Sequence, residues 1–167
     1  MATTIRIPME LLTVQPDSAN AFWSARTGTT IDMGYVAYVD SGEGVSTYWA
    51  TIPSNVAGTP AWNLDYYHAA NTSGGGNVML TSRARAMNDV EELDAAYTVV
   101  SSAATFTVAV ANTLNIDASS GGNFDSVVAV AANDLLLVEV NRHGSNASDT
   151  LGVQWNLWSL LLKIDVT

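Results

Sequence analysis

The sequence predicts an all-β chain, an antiparallel jelly-roll β-sandwich of about eight or nine strands with an extended N-terminal arm. Three observations lead there. Apolar residues recur at every second position through most of the chain, the period at which a strand buries one face. The runs are separated by turn-forming stretches such as NTSGGGN at 71–77 and SSGGN at 119–123, as in sandwiches and barrels. Only NDVEELDAA at 88–96 offers a helical pattern, and it is a turn or two long. With so many non-local pairings expected, a jelly roll is the favoured topology.

Taken in order, Ile5, Ile7, Met9 and Leu11 alternate with Arg6, Pro8 and Glu10. Pro8 has no N–H for a ladder, which places this strand at a sheet edge. Residues 15–30 are mixed, with Phe22-Trp23 as their apolar anchor, and read as a long connection. Residues 1–30 therefore form an arm or edge strand, and 31–167 the sandwich, within a single domain. Ile31, Met33, Tyr35, Ala37 and Val39 alternate up to the turn Asp40-Ser41-Gly42, where the residue types favour reversal. Residues 45–52, VSTYWATI, are rich in β-branched and aromatic side chains and stop at Pro53.

Trp62, Leu64, Tyr66 and His68 alternate in the next strand, and residues 77–87 set Val78 and Leu80 against Arg83 and Arg85. At 88–96, Asn88 or Asp89 can cap a helix with Glu91 and Glu92 in its first turn. Phe106, Val108 and Val110 alternate with Thr105 and Thr107, and Leu114-Asn115-Ile116 continue that strand or start another. Residues 127–131 precede two closing runs at 134–143 and 157–166. Leu136, Val138 and Val140 share one face of the first. Trp158, Leu160, Leu162, Ile164 and Val166 share one face of the second. Paired with each other, the two runs would make the central ribbon of the sandwich.

At 167 residues the chain is one domain, long enough to bury roughly 70% of its unfolded surface. Charged residues are 13% of the total, about half the usual share, which suits an assembled particle more than a solitary one. Six Lys and Arg face sixteen Asp and Glu, for a net charge of −10. Such a chain is repelled by phosphate, so nucleic acid is an unsuitable partner. There are no cysteines, hence no disulfide or thiolate chemistry. MATTIRIPMELL lacks the basic n-region and apolar core of a secretory signal. No run is long and apolar enough for a membrane helix. Synthesis in a host cytoplasm, without membrane association, is the expectation.

YWATIPSNV (48–56), WNLDYYHAANTSGGGNVMLTSRARA (62–86) and DLLLVEVNRHGSNASDTLGVQWNLWSLLLKIDV (134–166) together carry a resemblance. They resemble jelly-roll modules of tailed-bacteriophage virion proteins. Those modules share an aromatic strand ending in Pro, a strand pair joined by a Ser/Gly-rich turn, and a closing Arg, polar loop and Asp-Thr. The last element here is Arg142, HGSNAS and Asp149-Thr150. Residues 1–45 are unmatched, and Leu157-Trp158 is heavier than the pattern. The resemblance implies a capsid decoration (cement) protein or a tail or fibre domain, usually a homotrimer, located in the virion. Its partners would be further copies of itself and the major capsid protein or another virion protein. No catalytic residue is implied.

Candidate residues follow. Ile5, Ile7, Met9, Phe22 and Trp23 are the apolar residues of the arm and its candidate interface. Arg142 and Asp149 flank one loop and are placed to pair across its neck. Aromatic faces stack on sugar rings. Trp49, Trp62 and Trp158 have core-like periodicity, which leaves Trp23, Tyr67 and Trp155 as the ligand candidates of an alternative, a carbohydrate- or receptor-binding module at a tail or fibre. His68 and His143 are the only imidazoles, and no G-x-S-x-G elbow accompanies them, so a non-enzymatic reading is preferred. Asp40 with Glu43, and Asp117 with Asp125, lack calcium-loop spacing; no metal or cofactor is expected. The acceptor patterns at Asn71 and Asn146 read as accidental without a secretory signal.

Overall fold

The computed structural model describes residues 3–14, 20–27, 32–56, 58–72, 74–88, 96–97, 104–118 and 128–167. Eleven strands occur among them: β1 (Thr3–Pro8), β2 (Glu10–Val14), β3 (Ala21–Thr27), β4 (Asp32–Tyr38), β5 (Glu43–Thr51), β6 (Trp62–Ala70), β7 (Gly76–Met87), β8 (Ala104–Val108), β9 (Asn115–Ala118), β10 (Leu135–His143) and β11 (Trp155–Val166). The helical candidate at 88–96 lies, but for its two end residues, outside the described residues. So does Asp125.

Two antiparallel sheets form the sandwich. One has the order β3-β4-β11-β6-β9 with β1 also on β11, and the other β2-β5-β10-β7-β8. β7 pairs with β8, β6 with β9, β5 with β10 and β4 with β11. These nested pairs describe one long hairpin rolled up on itself, which is the jelly roll. β1, β2 and β3 are added to that framework of eight.

The two closing runs do not pair with each other. β10 lies between β5 and β7, and β11 between β4 and β6. Each is the centre of its own sheet, and their apolar faces meet across the core, where Leu136, Val138, Val140, Leu160, Leu162 and Ile164 are all fully enclosed. Alternation identifies a buried face but not the partner strand.

A register shift between Leu157 and Ser159 places two residues opposite Tyr67 where a regular ladder has one. Such a bulge reverses the parity of the strand. Trp155 and Leu157 therefore point inward before it, and Leu160, Leu162 and Ile164 after it. Trp158 is lifted off the core face on which alternation put it, and packs against Tyr35 with ring centroids 4.6 Å apart.

The connection expected at 15–30 contains a strand. β3 pairs with β4 from Ala21↔Tyr38 to Thr27↔Asp32. Phe22 and Trp23 are exposed in succession on this edge strand, so it shows no one-sided alternation. Residues 128–131 are irregular instead of extended, although Val128 and Val130 reach the core.

The N-terminal segment is not an arm standing away from the domain. β1 pairs with β11 from Thr3↔Val166 to Pro8↔Leu161, with Pro8 at an edge as its missing N–H requires. At Met9, whose N–H donates to the Leu160 carbonyl at 2.9 Å, the chain leaves one sheet for the other and continues as β2 along β5. Met9 is buried, and Ile5 and Ile7 pack against the core.

Hydroxyls also bridge the sheets. The Tyr38 and Ser46 hydroxyls are hydrogen-bonded, and Tyr66 Oη lies 2.7 Å from Ser82 Oγ. Both serines flank Val140 in one cross-strand row. Burial pushes both phenols well above their ordinary range.

Removing residues 1–14 strips a ladder partner from half of β11 and from β5. Thermal unfolding should show the truncated chain losing many degrees of stability; melting at the temperature of the intact chain would contradict this integral role.

Candidate functional site

The bulge in β11 opens a cleft in the flank of the sandwich. β4 pairs with β11 only at Trp155–Leu157 and β1 only from Leu161 onward, so neither covers the turn between them. The cleft has a volume of about 190 Å³ and is walled by Trp23, Tyr35 and Trp158, with Met9, Leu11 and Tyr48 among its other lining residues and Ser159 at the bulge. Trp23 is 60% exposed. Its ring lies on Gly34, where a Cβ would come within 2.3 Å of Cζ2 and 2.4 Å of Cη2. Glycine at 34 is thus what lets the indole come this close to the strand. Tyr48 is buried, its hydroxyl beside those of Tyr38 and Ser46, and burial raises its phenol to about 12 against the pull of those two neighbours.

At one end of the sandwich Arg142 and Asp149 meet as a bidentate pair. Arg142 Nε donates to Asp149 Oδ2 at 2.9 Å and Nη2 to Oδ1 at 2.8 Å. Both side chains are enclosed, at 0% and 1% exposure. Nη1 donates to the carbonyls of Tyr38 at 3.0 Å and Val153 at 2.9 Å, so this side chain of β10 holds β4 in the opposite sheet. Asp149 Oδ2 also accepts the Met79 N–H of β7 at 3.0 Å.

His68 is fully buried between Trp155 and Asp117. Trp155 Nε1 donates to Nδ1 at 2.9 Å, and Asp117 Oδ2 lies 2.8 Å from Nε2. An indole N–H can only donate, so Nδ1 accepts, Nε2 carries the proton, and the ring is neutral. Burial lowers its pKa, against the opposing pull of Asp117. His143 lies on the outer face of β10. Its Nδ1 is 3.0 Å from Glu43 Oε1, and its Nε2 is 2.7 Å from Thr81 Oγ1. Carboxylate, imidazole and hydroxyl in that order resemble a hydrolytic relay. The ladder register accounts for it: Glu43 is opposite His143, and Thr81 is opposite Asn141 one step away.

Of the sequence-derived candidates, Ile5, Ile7 and Met9 are in the fold's own packing, while Phe22 and Trp23 are exposed. Trp155 is not a free aromatic but one of the largest fully buried side chains, placed inward by the parity of β11 ahead of the bulge. Tyr67 is half-buried on the outer face, opposite Ile116. Trp49 is half-buried and Trp62 is in the core. Glu43, a candidate with Asp40, turns its carboxylate to His143; among the described residues no three acidic or histidine side chains gather. Sequence reasoning missed the cleft, because a bulge has no periodic signature. It also missed Val110, Leu114 and Ile116, which are 58%, 55% and 57% exposed.

No family profile matches the chain, and no curated protein matches it. Among solved structures, that of the infectious bursal disease virus Gx strain aligns over 99% of this chain and 32% of that chain, at 11% identity and a TM-score of 0.43. The present chain thus spans about a third of that neighbour. The C-terminal CBM6 of LamC, a laminarinase from Zobellia galactanivorans, aligns over 96% of this chain and 98% of its own, at 14% identity and 0.41. TmCBM61, solved with β-1,4-galactotriose, aligns over 95% and 86%, at 8% identity and 0.36. The jelly-roll assignment rests on the strand pairing itself.

Arg142→Ala leaves Asp149 buried without its partner and should cost about 3–5 kcal/mol, read as a lower urea midpoint. An unchanged midpoint would show that the pair holds nothing. For His68, a folded pKa below the unfolded value means the folded state binds protons less readily. Its contribution is complete above about pH 6.5 and declines as the pH falls toward the lowered folded value. The urea midpoint of the wild type should therefore drop between about pH 7 and about pH 5.5, and His68→Gln should flatten that drop.

Proposed function

We propose that this chain is a non-enzymatic virion structural protein of a bacteriophage, a capsid decoration or cement protein assembled as a homotrimer. It works through contact, holding neighbouring copies and the major capsid protein together. The resemblance carried by residues 48–166 supports this reading, as does a jelly-roll framework with few charges on it. One observation bears on it most directly. Val110, Leu114 and Ile116 are each more than half exposed within residues 110–116, along the β8–β9 side of the sandwich. Large apolar side chains grouped in this way mark contact surfaces. That surface takes the place of the N-terminal arm as the interface, since Ile5, Ile7 and Met9 are spent on the fold.

Light scattering on the eluting protein should give the mass of three copies. The double variant Leu114→Asp, Ile116→Asp should elute as a monomer with an unchanged melting temperature. Peptides of the chain should also be present in purified particles. A wild-type monomer at its highest soluble concentration, or particles free of the chain, would overturn the assignment.

A further inference from the structure

We propose that the aromatic cleft at the β11 bulge binds one ring of a neutral sugar. None of the described residues lining it carries a charge, although the chain as a whole has a net charge of −10. An anionic or cationic ligand would find no counter-charge there. The volume of about 190 Å³ is below the roughly 300–1,000 Å³ of sites that enclose drug-sized ligands, which fits a single ring.

The walls have the chemistry of such a ring. A pyranose presents a face of C–H groups bounded by hydroxyls. Trp23 is 60% exposed, and the half-buried Trp158, its plane at 50° to the buried Tyr35, adds a second indole. Tyr and Trp suit such surfaces because each joins a broad apolar face to a polar handle. Ser159, Tyr35 and Tyr48 are the hydroxyl-bearing residues of the lining. A sugar brings hydroxyls of its own to this lining, whereas an apolar side chain of another protein brings none.

Trp23 is also held as a platform and not left as a stray exposed aromatic. Only a residue without Cβ at 34 lets the indole lie where it does, and the bulge that supplies Trp158 is the irregularity that opens the cleft. The site is independent of the assembly surface: β2 and β3 edge the two sheets on this flank, and β8 and β9 edge them on the other.

Saturation-transfer NMR with the methyl glycosides of glucose, galactose and mannose tests the proposal on the intact chain. At least one should bind saturably, with an affinity on the order of millimolar for a single ring. Trp23→Ala should weaken binding at least tenfold. Gly34→Ala, which pushes the exposed indole aside while keeping every aromatic, should do the same. Phe22→Ala, one residue away and outside the cleft, should bind as the wild type does. Melting temperatures of all three should match the wild type. No saturation transfer from any of the glycosides, or binding undiminished in both Trp23→Ala and Gly34→Ala, overturns the proposal. So does a site that takes up only an apolar probe such as benzene.

Discussion

The guanidinium of Arg142 is the interaction on which the closed end of this sandwich depends. It sits on β10, the central strand of one sheet, and donates across to a carbonyl of β4 in the other. An enclosed charge is tolerated only when paired and hydrogen-bonded, and here both requirements are met. Asp149 supplies the charge, and the Tyr38 and Val153 carbonyls take the remaining donation. The loop between Arg142 and Asp149 is fixed by the same atoms, and through Met79 and Thr150 it is stitched to the start of β7. Packing alone would allow the two sheets to slide; directional bonds of this kind specify how they are stacked.

The opposite tendency governs the flank where the cleft lies. There the ladder is interrupted: β4 stops, β1 has not begun, and β11 carries an extra residue between them. The sandwich accepts the lost pairing because Met9 crosses beside the gap, donating to Leu160 as it changes sheets. One irregularity thus serves two ends. It turns Trp158 out of the core, and it leaves an aromatic recess that a regular sheet would have closed.

The strands with one hidden face were legible from sequence, since β5, β6, β7 and β10, and β11 beyond its bulge, follow the period set by the core they cover. What could not be read are features that break or lack that period. β3 exposes Phe22 and Trp23 in succession and so has no one-sided pattern. The bulge shifts the parity of β11, which exchanges the roles of Trp155 and Trp158 as core residue and surface aromatic. Pairing partners were equally hidden, because Leu136 and Leu160 carry the same signal whether their strands lie side by side or face to face. The Arg142–Asp149 meeting was visible in outline because the six residues between them form a polar loop that brings its ends together; its reach to Tyr38 was not, being a contact across the whole fold.

β1 finds its ladder partner in β11, at the far end of the described sequence, with Thr3 opposite Val166. A ribosome releases the first of these long before the second exists. The opening strand must wait, its apolar side chains unshielded, and the roll can lock only after β11 has been made. Contacts so distant along the polypeptide slow folding and lengthen exposure to sticky encounters. The latch that secures the finished sandwich is therefore also the reason the roll stays open until its last strand has been made.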